Sequence, residues 1–118
     1  MQVVTAIFCK PDYSSLSMIF SFILLDKPNA TQLRQQVRPE HKAYLAEVAD
    51  RIAFAGPLVQ DDGQTMLGSL LAIDFVSRNE AHDWLAKEPF FRAGLYASTT
   101  IHAFNNLWPQ RTGFAAAA

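Results

Sequence analysis

Two segments of this 118-residue chain, residues 18–25 and 66–76, are apolar on both sides of the strand that each predicts. Successive side chains of a strand point to opposite faces. The first segment sets Met18, Phe20, Phe22 and Leu24 against Ile19, Ile23 and Leu25. The second sets Leu67, Ser69, Leu71, Ile73 and Phe75 against Met66, Gly68, Leu70, Ala72, Asp74 and Val76. Neither side is mainly polar, whereas an antiparallel sheet with one wet face alternates cleanly. The helices of so short a chain cover one face only, so the other face needs a cover from outside. A second copy packed sheet to sheet at about 10 Å is the most economical one. Burying roughly 1,000 Å² of apolar surface in this way contributes on the order of 25 kcal/mol before ordering and association costs. The expectation is an obligate homodimer.

The rest of the pattern supplies those helices. Asp26-Lys27-Pro28-Asn29 is a turn cluster closing the first strand. Thr31 is placed to cap a first helical turn, and Pro39 suits the first turn of the main helix, where a missing N–H is no loss. Tyr44, Leu45, Val48, Ala49 and Ile52 recur at spacings of three and four, predicting one buried helical face. A strand over 52–58, a turn at Asp62-Gly63 and the strand over 66–76 form a hairpin. A second helix opens at Asn79, Glu80 and Ala81, turns Ala81, Trp84 and Leu85 inward, and closes at Lys87, Glu88 and Pro89. The last strand falls at 98–107. The order βαββαβ predicts an α+β, ferredoxin-like domain over 18–109: a four-stranded antiparallel sheet with two helices on one face. Residues 1–17 read either as a leader or as an extra edge strand, and 110–118 as a flexible tail.

Charge and cysteine content narrow the function. Ten basic residues against eleven acidic ones give a net charge of −1, with no broad field for nucleic acid or anionic lipid. The longest apolar run is far shorter than the ~20 residues that span a bilayer, and the chain shows no secretory-signal pattern. With Cys9 as its one cysteine the chain has no internal disulfide or thiolate zinc site, which fits a reducing, cytoplasmic setting. No phosphate-cradling loop, dinucleotide fingerprint or close metal-ligand spacing is present, so neither cofactor nor metal is expected.

Three histidines are available for proton chemistry near neutrality. His82 lies beside Glu80 and Asp83 on the exposed or boundary side of the second helix. His102, on the last strand, is either pocket-lining or a paired core residue. His41 shares a helical stripe with Arg38 and Leu45, which places its ring at the core's edge, either as a satisfied boundary residue or, given a carboxylate partner, as a general base. Glu88 stands at a helix end that disfavours an acid, which itself suggests a partner.

The runs Arg38-Pro39-Glu40-His41 with Tyr44-Leu45, Ala55-Gly56-Pro57, Asp61-Asp62-Gly63, Gly68 and Glu88-Pro89-Phe90-Phe91-Arg92-Ala93-Gly94-Leu95 together resemble the YCII-related family over about 18–109. The resemblance implies a ferredoxin-like protomer, a dimeric α+β barrel and a histidine–acid active site. It carries the family's histidine onto His41 and its aspartate onto Glu88, one methylene longer. It also implies proton transfer on small ring compounds, as in a relative that removes chloride from a chlorinated hydroxyquinol. The expected activity is a cofactor-independent isomerase or lyase acting on a cyclic or carbonyl-bearing small molecule. His41 and Glu88 are the catalytic pair, with Arg38, Tyr44 and Phe90 at the substrate. The other expectation is a non-catalytic ligand-binding or scaffolding homodimer in which His41 and Glu88 pair structurally.

Overall fold

Phe20, Phe22 and Leu24 alternate along β1 (Met18–Asp26) and are buried, while Ile23 and Leu25 between them are 38% and 43% exposed. The chain continues through α1 (Thr31–Ala46), a 3-10 turn (Ala49–Arg51), β2 (Ile52–Val59), β3 (Met66–Phe75), α2 (Arg78–Ala86), α3 (Pro89–Arg92) and β4 (Tyr96–Phe104). The structure, a computed structural model, describes residues 17–108. The leader or edge strand at 1–17 and the tail at 110–118 therefore lie outside the described residues, Ser17 apart. The strands form one antiparallel sheet of order β2-β3-β1-β4 with the helices on one face, the ferredoxin-like arrangement that the element order predicts. Among the described residues no helix is long and apolar enough to cross a membrane.

Three local expectations need correction. First, α1 runs unbroken through Pro39, and Ala30 rather than Thr31 is its N-cap, with no side-chain cap bond. An interior proline usually costs roughly 3 kcal/mol through the lost backbone bond and a clash. Here Pro39 and Gln35, one turn earlier, are both exposed, so water can hydrate the carbonyl that lacks a partner. Second, the helical spacing read through Ile52 ends early: α1 stops at Ala46, and Val48 is buried from a turn that leads into the 3-10 segment. Third, β4 begins at Tyr96, two residues before the expected start, and ends at Phe104.

The helix-covered face joins Phe20, Phe22 and Leu24 to Leu71, Ile73, Phe75 and Ile101, packed against Ala81, Trp84 and Leu85 of α2. Trp84 meets the rings of Phe22 and Phe75 at 5.5 and 5.8 Å. Gly68 is obligatory on β3, because a Cβ there would collide with the Leu24 carbonyl oxygen. The opposite face carries Ile19, Ile23 and Leu25 beside Leu70 and Ala72. Phe54 from β2 and Phe104 from β4 reach across it and meet edge to face at 6.2 Å. Ser98, Thr100 and His102 make its β4 margin polar, so His102 is exposed there rather than in the core or a pocket.

Candidate functional site

Of all its side chains, α1 buries two basic ones: Arg34 and His41, seven residues and two turns apart, while Leu33, Val37, Tyr44 and Leu45 are only partly buried. Desolvating basic groups is costly unless each is paired and hydrogen-bonded. Each has its own acid. Arg34 grips Asp26 at the end of β1 with two bonds, Nε to Oδ2 at 2.7 Å and Nη2 to Oδ1 at 3.0 Å. The same Nη2 donates to Ser69 Oγ at 3.0 Å, and the guanidinium lies 4.6 Å over the Phe90 ring. Among the described residues, Nη1 is the one nitrogen of the fork without a protein acceptor.

His41 pairs with Glu88, which is fully buried. Nδ1 donates to Oε2 at 2.8 Å, and the ring stacks on Phe90 with centroids 4.1 Å apart. In the neutral ring this bond to the carboxylate selects the tautomer whose lone pair is on Nε2. Glu88 is held in turn by two more donors. It is the N-cap of α3, where Oε2 accepts from the Phe90 backbone N–H at 2.8 Å, with Pro89 occupying the first helical position. Oε1 accepts from the Tyr96 hydroxyl at 2.8 Å. The acid therefore sits at the favourable, N-terminal end of α3 and not merely at the unfavourable end of α2.

Tyr96 reaches Glu88 because β4 is irregular. Ser98 and Thr99 pair with Leu25 and Leu24, but Asp26 pairs with Tyr96 rather than Ala97. The extra residue turns Tyr96 to the helix side, the re-aiming for which bulges are used. Burial, above all, pushes the Tyr96 phenol well above its usual range, helped by the Glu88 charge and hydrogen bond and opposed by Arg34 and Ser69. The hydroxyl therefore stays a proton donor to Glu88 at neutral pH.

Arg34 and His41 line one cavity of about 210 Å³, together with Arg38 and Lys42. Leu45, Leu71, Met66 and Pro57 supply apolar wall. This is smaller than the roughly 300–1,000 Å³ of drug-sized sites, and it suits a ligand of about one ring. The structure thus brings His41, Glu88 and Arg38 into or directly behind one site. Phe90 lies beneath His41 and Arg34 as a support, fully buried rather than lining the cavity. Tyr44 points elsewhere: its hydroxyl donates to the Trp84 carbonyl at 2.8 Å and its ring stacks on Trp84 at 5.0 Å. Burial first, then the charges of Glu47 and Glu88, raises its phenol. The Arg38–His41 stripe, extended back one turn, leads to Arg34, but no local spacing singles out Asp26, Ser69 or Tyr96.

A family model for the YCII-related domain matches residues 18–105. The chain is 29% identical over 98 residues to an uncharacterized protein of Haemophilus influenzae and 28% identical over 98 residues to protein YciI of Escherichia coli. In each case the match covers 77% of this chain and all of the other. Among solved structures, a 5-chloro-2-hydroxyhydroquinone dehydrochlorinase from Burkholderia phenoliruptrix, in complex with 2,5-dihydroxybenzoquinone, superposes with a TM-score of 0.70 at 31% identity. That match covers 75% of this chain and 94% of the dehydrochlorinase.

Proposed function

Because the chain belongs to the YCII-related domain family, we propose that it is a small-molecule enzyme in which His41 moves a proton on a ring or carbonyl compound. The observation that carries this reading is the buried His41–Glu88 pair on the wall of a one-ring cavity. Nε2 takes a proton from a ligand hydroxyl or an activated carbon, and Glu88 stabilises the imidazolium that forms. The electron pair left on the ligand then accepts the proton back at another atom, as in an isomerase, or expels an anion, as in a lyase. The likeness to a dehydrochlorinase favours the second outcome on a hydroxylated ring. Arg38, at the cavity rim, meets the ligand's outer polar groups.

The test uses 5-chloro-2-hydroxyhydroquinone and its chlorine-free analogue, reading chloride release from the first and exchange of ring hydrogen for solvent deuterium in the second. Turnover by the native chain and a loss of roughly 10²–10⁴-fold in His41→Asn, with an unchanged circular dichroism spectrum, are expected. Equal activity in the two proteins rejects the mechanism.

The same reading includes a homodimer formed through the helix-free face. Phe54 and Phe104, 39% and 36% exposed, add to Ile23 and Leu25 an apolar patch of the kind monomers rarely leave open. Light scattering at micromolar concentration is expected to give twice the monomer mass of 13.2 kDa; a monomer removes this part of the proposal.

A further inference from the structure

We infer that the cavity selects its ligand by charge, taking a flat ring that carries an anionic oxygen, with that oxygen on the Nη1 edge of Arg34 and the ring's reactive side towards His41. This rests on the cavity being a small-molecule site and adds the class of ligand it takes.

Three cations, Arg34, Arg38 and Lys42, line the cavity with His41, and among the described residues no carboxylate does. Both nearby acids stand behind the wall. Asp26 takes the rear edge of Arg34, and Glu88 takes the far side of His41. The chain's net charge is −1, so this is a local concentration of positive charge and not a property of the whole surface. Arg34 is 4% exposed, and three contacts fix it: Asp26, Ser69 and the Phe90 face. Its ordering is complete before a ligand arrives, the condition under which an arginine gives most to an anionic oxygen. Arg38 and Lys42 are one turn apart on the exposed rim and add field without fixed geometry. The rest of the wall is largely apolar, from Leu45, Leu71 and Pro57, and suits the faces of a ring. Arg34 and His41 are about 10.5 Å apart along the helix axis by helical rise, a gap that two side chains and one ring between them close. A carboxylate and an ionised ring hydroxyl present the same charged oxygen.

Isothermal titration of the full-length chain at pH 7.5 compares matched pairs: benzoate against benzamide, and ionised 2,5-dihydroxybenzoquinone against its dimethoxy analogue. At least one anion is expected to bind ten times or more tighter than its neutral partner, and which one does so identifies the oxygen. Arg34→Met strips Asp26 of its partner as well, so the surface double variant Arg38→Gln/Lys42→Gln carries the mutational arm. It is expected to weaken the anion at least threefold more than it weakens the neutral partner. Equal affinity within both pairs, or saturable binding of none of the four, overturns the inference. The proposed reaction fails separately: anion preference in a chain that shows neither chloride release nor hydrogen exchange leaves this inference standing and removes the mechanism.

Discussion

Two carboxylates in this molecule each accept hydrogen bonds from three donors, and they have almost nothing else in common. Asp62, on the hairpin between β2 and β3, accepts from the backbone N–H groups of Gln64 and Thr65 and from the Thr65 hydroxyl. Glu88 accepts from the Phe90 N–H, the Tyr96 hydroxyl and His41 Nδ1. All of Asp62's donors lie within three residues of it, and water surrounds it. Those of Glu88 come from α1, α3 and β4, and no water reaches it. An exposed acceptor that loses its partners returns to solvent, whereas a buried set of donors left without an acceptor has nowhere to turn. The first arrangement shapes a turn; the second holds a cavity wall and a histidine tautomer together.

The sharpest way to break this contrast is to delete both acids. Glu88→Ala strands three donors in the interior, and a loss of roughly 3–5 kcal/mol in urea unfolding is expected. Asp62→Ala removes as many bonds, and its unfolding midpoint is expected to move far less, the m-value staying constant in both. Similar shifts would show that bond number, not burial, sets the cost. Glu88→Asp probes reach instead. The shorter acid keeps the N-cap but withdraws from His41, at an expected cost of about 2 kcal/mol. The His41 ring resonances should shift towards those of an exposed histidine, and unchanged resonances would mean that α1 and α3 close the gap.

The same contrast explains what can be read from residue order. Asp62-Gly63 announces its turn because every bond is local and Gly63 supplies the φ of +74°. Alternation along β1 and β3 likewise gives both sheet faces without knowledge of the neighbours. Glu88 is visible only as an acid in an unfavourable place or through a family likeness, since its partner His41 is 47 residues away. Tyr96 is hidden by a different cause. Strict period-two alternation back from Thr99, which faces the helices, puts residue 96 on the opposite face, and the bulge that reverses it depends on pairing with β1. Arg34 is hidden because a buried arginine is rare unless paired, and Asp26 reads first as part of a turn cluster.

Tyr96→Phe tests the long-range side at smaller amplitude. It leaves Glu88 Oε1 without its donor, at an expected cost of about 1 kcal/mol at pH 7. The folded protein holds the Tyr96 proton more tightly than the unfolded chain does, so this stabilisation is intact below about pH 10 and drains away as pH rises beyond it. The slope reaches about 1.4 kcal/mol per pH unit for one group. The phenylalanine variant lacks that slope, while Tyr44, also raised, contributes to both proteins. The native chain's advantage should therefore shrink in urea titrations run from pH 9 to 11. An advantage that stays constant over that range would mean that Tyr96 ionises as freely folded as unfolded.

The smallest effect belongs to Asp62, and its sign is opposite. Hydrogen bonds from the Thr65 hydroxyl and from the Gln64 and Thr65 backbone hold its carboxyl below the usual carboxylate range. Here the folded state releases the proton more readily, so the stabilisation is present above about pH 4 and disappears as pH falls through the lowered folded value. Asp62→Asn has no such titration. In paired urea titrations the native chain should lead the variant at pH 6 and lose that lead towards pH 2. The thermal midpoint of each should move little, because full exposure lets water and salt screen the charge. A lead that persists at pH 2 would place the worth of Asp62 in its shape as a turn residue rather than in its charge.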